Sequence, residues 1–205
     1  MKRNEENTKI IYEIPFINHA YNFWSAASIL INEMVKTGNK NMVISKADNF
    51  KSEEEEEKHL QEIFERNADS IGIPIMFNFY HGVELYMKGI FQIAEITFNS
   101  NHNLQDLYKL MKANEKQFQP NLLLLLKNLI CNSNGFHPFF KKNNITVNDF
   151  YIALKYPRNK DGSMIYEYSK IRGSEPEIIE IYKNIEYSIK ELKKQIKVWL
   201  QSRNN

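Results

Sequence analysis

The sequence predicts an all-α protein, an up-and-down bundle of five to seven helices with one irregular arm or short hairpin near residues 156–173. Three patterns carry that prediction. Ala20, Tyr21, Phe23, Trp24, Ala27, Leu30, Ile31 and Met34 recur at helical spacing. Residues 79–93 are apolar around most of a helical circumference, as a buried helix requires. Ile178, Tyr182, Ile185, Ile189, Leu192, Ile196 and Trp199 follow one another in steps of four and three, a sustained heptad seam.

The elements follow from local signals. Asn18 is placed to cap a first helix that runs to about Lys36, with Gly38 as its stop. Residues 38–51 read as a loop with a short extended piece at MVIS. Ser52 precedes five consecutive glutamates, Glu53 to Glu57, whose charge suits the first turn of a helix. Contiguous carboxylates point in different directions on a helix, so this run reads as a solvated helix start rather than a metal or partner site. Pro74 reads as the opening of the next helix, which extends to about Phe98. Asn103 caps another, with Asp106 three residues on. PNLLLLLKNLI is a short buried helix that Asn132 to Gly135 end. Thr146 and Asp149 mark the start of VNDFYIALK, which stops before Pro157. Asp161-Gly162 is a turn signal between β-compatible residues, and a hairpin and an irregular loop both remain open there. Ser174 and Glu177 form a capping-box pattern for the last helix, with Pro176 in its first turn. Its seam has two readings: packing inside its own bundle, or pairing with a second chain.

Composition narrows the function classes. The 205 residues read as one domain, 1–205, with a loop and acidic helix inserted around 38–70. The hydrophobic fraction of 42% supports a real core, and a net charge of +2 leaves polyanion binding to a local patch. The single cysteine, Cys131, excludes an intramolecular disulfide and is too little sulfur for a zinc knuckle or iron–sulfur cluster. Its setting in LLLLLKNLIC predicts a buried, inert thiol. MKRNEENTKIIYEIP has no apolar core of the signal-peptide kind. The longest fully apolar run, LLLLL at 122–126, is far below the roughly 20 residues of a membrane span. The expectation is a cytoplasmic protein with no membrane association. Neither glycine-rich phosphate loop, G-x-x-x-x-G-K-[ST] or G-x-G-x-x-G, occurs, and there is no G-x-S-x-G elbow. No cofactor is expected.

The segment FYHGVELYMKGIF, residues 79–91, places three ionisable groups in an apolar run. His81, Glu84, Lys88, Gln92 and Glu95 share one narrow stripe of that helix. Glu84 precedes Lys88 by four, the favourable order for an ion pair. Two readings are open: a stripe that faces water, or one that lines a groove where charges in an apolar setting mark function. HGVEL lacks the second histidine of a metalloprotease helix. By side-chain type alone, His81, Glu84, His102 and Asp106 could form a metal set, but nothing in the sequence joins them, and no metal ligand is assigned.

Several segments, in order, resemble the HEPN superfamily of small prokaryotic helical bundles. AYNFWSAASILIN resembles its first helix, and FYHGVELYMKGIF its second, with the glutamate–lysine spacing of GVELYMKG. HNLQDLYKLM resembles its His-x-Leu-x-x-Leu helix start, and ALKYPRNKDGSMIYEY its Arg-Tyr-Pro segment and following turn. The resemblance covers roughly residues 18–200. It implies a four- or five-helix bundle, often dimeric. Many members are metal-independent ribonucleases of toxin–antitoxin, abortive-infection and CRISPR-associated systems, and others are catalytically silent RNA- or nucleotide-binding modules. The ribonuclease members carry Arg, four to six residues, then His. None of Arg3, Arg66, Arg158, Arg172 and Arg203 has a histidine at that distance downstream, so the nuclease reaction is not carried over and no catalytic residue is assigned.

Residues 151–172 place Lys155, Arg158, Lys160, Lys170 and Arg172 among Tyr151, Tyr156, Tyr166 and Tyr168. Basic groups beside aromatics suit phosphate contact and base stacking, although tyrosines also serve to pack such an arm onto its bundle. The expected binding residues are His81, Glu84, Lys88, His102, Tyr156 and Arg158. The first expectation is a catalytically silent module that binds RNA, a nucleotide or a partner protein from the same operon. A ribonuclease with His81 or His102 as base and Arg158 as phosphate clamp is the second. A homodimeric adaptor without ligand is the third.

Overall fold

The computed structural model describes residues 14–39, 50–131, 138–172 and 176–203. Among these the protein is all-α: α1 (Pro15–Lys36), α2 (Glu53–Glu65), α3 (Ala68–Ile93), α4 (Leu104–Ala113), α5 (Pro120–Ile130), α6 (Pro138–Lys142), α7 (Phe150–Ala153) and α8 (Pro176–Arg203). Single 3-10 turns at Glu115–Gln117 and Val147–Asp149 lead into α5 and α7. Six of the eight helices are ten residues or longer, and the two short ones, α6 and α7, lie between α5 and the arm. No helix among the described residues is long and apolar enough to cross a membrane.

The bundle is organised around α3, which packs along α1 and also meets α4, α7 and α8. Close approach of α1 is made possible by two glycines one heptad apart. A Cβ on Gly82 would sit 2.4 Å from Trp24 Nε1, and one on Gly89 would sit 2.4 Å from the Ile17 side chain. Trp24 Nε1 donates to the Phe79 carbonyl at 3.1 Å, which ties α1 to α3 in the core. The heptad seam of α8 is buried against the rest of the chain: Ile178, Tyr182, Ile185, Ile189, Leu192, Ile196 and Trp199 are all 4% exposed or less. The seam is therefore packed within the chain's own bundle. Tyr86 of α3 reinforces the contact by donating to the Leu192 carbonyl at 2.9 Å.

Several boundaries differ from the sequence expectations. The first helix begins at Pro15, not after Asn18, because proline at the first helical position needs no N–H partner. Asn18 lies inside it and donates its N–H to the Ile14 carbonyl. The third helix begins at Ala68, with Asn67 as its cap and Pro74 inside it, and ends at Ile93 rather than Phe98. Asn67 accepts from Ser70 N, and buried Asn39 accepts from Ala68 N at 2.7 Å, so a distant loop residue helps start the helix. The acidic run does open a helix, with Ser52 Oγ accepting from Glu55 N, and Glu53, Glu54, Glu55 and Glu57 are exposed. Asn103 and the Thr146–Asp149 pair cap as expected. Cys131 is exposed, against expectation, because it falls at the C-cap of α5 and not on its buried face. Partial desolvation still pushes its thiol up from the ordinary value. In the arm, Arg158 and Ile165 form one isolated antiparallel bridge, and Gly162 turns the chain with φ +74°. The MVIS piece, the Asn132–Gly135 stop and the Ser174 cap lie outside the described residues.

Replacing Gly82 with alanine is expected to destabilise the protein by about 1–3 kcal/mol, since Trp24 would have to leave its bonded position. A denaturant melt of Gly82→Ala against wild type checks this, and an unchanged midpoint would refute the close-approach argument.

Candidate functional site

The site starts from a carboxylate in the core. Glu84 is 1% exposed and Lys88 5% exposed on α3, so the polar stripe does not face water at these positions. Only its C-terminal members, Gln92 and Glu95, are exposed. The reason is tertiary. The segment 96–103 returns over α3 and brings His102 onto the stripe, and α7 lays Tyr151 over His102.

Glu84 is surrounded by donors. Lys88 Nζ donates to Oε1 at 2.7 Å, and His102 Nδ1 straddles both oxygens at 3.0 Å each. His81 Nδ1 reaches Oε2 at 3.3 Å. Lys88 also donates to the Ser100 carbonyl at 3.4 Å, which holds the returning segment in place. Burial alone would raise the Glu84 pKa, but the bonds from His81, Lys88 and His102 and the Lys88 charge outweigh it and hold the carboxyl at about 2. Glu84 is therefore ionised at neutral pH and can only accept. Both histidines then donate from Nδ1 to Glu84, and Nε2 is the remaining ring nitrogen of each.

Aromatic packing fixes the rings. His81 meets Phe23 edge-on at 4.5 Å and stacks beside Phe77 at 5.6 Å. His102 stacks on Tyr151 at 4.2 Å with planes 12° apart. Tyr151 also meets Phe77, His81 and Phe150, and Lys155 Nζ lies 4.5 Å from its ring centre and 3.4 Å from its hydroxyl. Tyr151 therefore holds His102 and is not a free stacking platform. Its placement depends on a clamp between α4 and the turn before α7: Asn148 donates to Gln105 Oε1 at 2.8 Å and accepts from Gln105 N at 2.9 Å.

Four of the six expected binding residues thus meet: His81, Glu84, Lys88 and His102. Tyr156 is 52% exposed and touches this group only through Lys155, which lies 5.8 Å from its ring. Arg158 is exposed in the arm opposite Ile165, and among the described residues no hydrogen bond or ion pair joins it to Glu84 or the histidines. Asp106 also stands apart: its N–H donates to Asn103 Oδ1 and its carboxylate accepts from Lys109 near the start of α4. Among the described residues no group of three or more His, Cys, Asp or Glu side chains is placed to hold a metal ion. Tyr151 and Lys155 were legible only as members of a basic, tyrosine-rich stretch, and nothing local pairs Tyr151 with His102.

No family model, curated protein or solved structure matches the chain.

The depressed Glu84 pKa makes a signed prediction. The folded value of about 2 lies below the ordinary 4.5, so the stabilisation is fully present above about pH 4.5 and is lost as pH falls towards 2. Its size is about 3 kcal/mol at neutral pH. Glu84→Gln is expected to lose about that much, and the gap between variant and wild type should narrow in denaturant melts between pH 4.5 and 2. A gap that stays constant over that range would refute the assignment.

Proposed function

We propose that this chain is a HEPN-like helical bundle that binds RNA or a nucleotide, does not perform the family's Arg–His nuclease reaction, and serves a bacterial defence or toxin–antitoxin system. The observation that supports this reading is the gathering of His81, Lys88 and His102 on one buried carboxylate beside Tyr151 and Lys155. These include residues of two of the four segments on which the resemblance rests, the glutamate–lysine helix and the histidine that begins the next one. A buried charge cluster that opens onto a basic, aromatic surface is the kind of arrangement that function retains at a cost in stability. Lys155, Arg158 and Lys160 are exposed and add local positive charge to a chain that is nearly neutral overall. Tyr156 offers an accessible ring for a base.

The metal-independent ribonuclease stands as the second reading because two histidines, His81 and His102, share one carboxylate, a pairing that acid–base chemistry can use. A homodimer or a protein partner belongs to the same proposal, through a face other than the α8 seam.

Titration of purified protein into labelled structured RNA, read by gel shift and by denaturing gel, separates these readings. A salt-dependent shift with intact RNA is expected. Lys155→Ala and Arg158→Ala should each weaken binding and lower the salt slope by about one. Unchanged affinity and slope in both variants would remove the arm from the site. Chelator-resistant cleavage would favour the nuclease, and neither shift nor cleavage would favour the adaptor.

A further inference from the structure

Helix α5 is apolar on its solvent side as well as on its core side. Leu122 and Leu126 are buried, but Leu124, between them, is 57% exposed, and Leu123 and Leu125 are half-buried. A groove of about 410 Å³ runs between α4 and α5 on one side of Leu124. That volume is in the range of sites that hold a ligand. Its apolar lining includes Tyr108, Phe118, Leu123 and Leu124. On the other side of Leu124 the apolar surface continues over Leu125 to Tyr187 of α8, which is 63% exposed. Single exposed leucines are ordinary, whereas a continuous apolar strip across neighbouring helices marks an interaction surface.

The groove is built in advance of any ligand. Trp199 of α8 donates from Nε1 to the Gln117 carbonyl at 2.6 Å, and its ring meets Phe118 at 5.6 Å. Gln119 donates to Ser202 Oγ at 2.9 Å. These contacts pin the turn before α5, so little ordering is left for a ligand to bring about.

Charge decides what the groove takes. Lys112, Lys116 and Lys127 edge it. Lys112 is paired with Glu115, which also lines the groove. Lys116 and Lys127 are exposed, and among the described residues neither has an ion-pair partner. On the Tyr187 side Glu191 pairs with Lys194 at 3.5 Å, so charge there is balanced. Two uncompensated cations therefore flank an apolar strip. Lys116 precedes α5, and Lys127 lies in its last turn, roughly 10 Å along the axis from Pro120. That separation matches about two turns of a docked helix.

We infer that the α4–α5 groove docks an acidic amphipathic helix of a partner protein. Its apolar side chains lie against Phe118, Leu123 and Leu124, and carboxylates at its edges meet Lys116 and Lys127. This assigns a face to the protein partner named above and rests on that reading only for the partner's existence. RNA is the poorer fit, because a phosphate backbone draws on many cations and leaves an apolar strip uncovered. The groove is lined by none of His81, Glu84, Lys88 and His102, so it is a second site and not an extension of the first.

The test uses a fluorescein-labelled synthetic helix with leucines at i, i+3, i+4 and i+7 and glutamates flanking them, and a counterpart with lysine for every glutamate. Polarisation should show the acidic peptide binding wild-type protein at least tenfold more tightly than the basic one, with affinity falling as salt rises. Amide NMR shifts should gather within residues 108–127. Leu124→Glu, at an exposed position, should lower affinity for the acidic peptide at least tenfold and leave RNA binding unchanged. Lys116→Glu with Lys127→Glu should reverse the preference between the two peptides. Equal binding of both peptides, or acidic-peptide binding that survives Leu124→Glu and the double lysine variant, would overturn the inference. Labelled RNA or phosphatidylglycerol vesicles that move the same amides when the acidic peptide does not would also overturn it. Peptide binding by a protein that binds no RNA would uphold the groove and overturn the RNA reading. RNA binding by a protein that ignores the peptide would do the reverse.

Discussion

An ionised carboxylate in the middle of a helical bundle is costly unless donors surround it, and the Glu84 site follows from that constraint. One donor, Lys88, comes from the next turn of the same helix, and a helix provides it by spacing alone. The other two are imidazoles, and His102 arrives from a different segment. Satisfying Glu84 therefore fixes where the chain must return after α3. The Ser100 carbonyl on Lys88 and the Gln105–Asn148 clamp are consequences of that return. The need to neutralise one buried charge thus organises α3, the start of α4 and the approach to α7.

The same constraint explains the chemistry left at the surface. Because Glu84 accepts from Nδ1 of both rings, each histidine has one committed nitrogen and one remaining nitrogen. Tyr151 removes a further degree of freedom by covering one face of His102. Rings held this way lose little entropy when a ligand arrives.

Packing of the bundle depends on a second, simpler feature. Gly82 and Gly89 sit on the face of α3 that meets α1, and Trp24 and Ile17 fill the space their missing side chains leave. His81, Glu84 and Lys88 lie on the neighbouring face of the same helix. The close α1 contact therefore also sets the height of the site, because Phe23, one residue before Trp24, forms part of the wall against His81.

The amino-acid sequence specifies the all-α class, the α8 seam, the caps at Asn103 and Thr146, and the pairing of Glu84 with Lys88. Each of these is written in residues no more than a turn or two apart, where helical periodicity and hydrogen bonding act directly. It also singled out His81 and His102, without a reason to join them. Tertiary packing alone buries Glu84, brings both histidines to it and sets Tyr151, not Tyr156, against His102. It also moved the start of α3 to Asn67, where Asn39 from a distant loop supplies a cap, and carried that helix through Pro74. Those outcomes depend on how segments 18 or more residues apart come together, which local spacing does not encode. Whether a polar stripe faces water or a neighbouring segment is decided by what folds back over it.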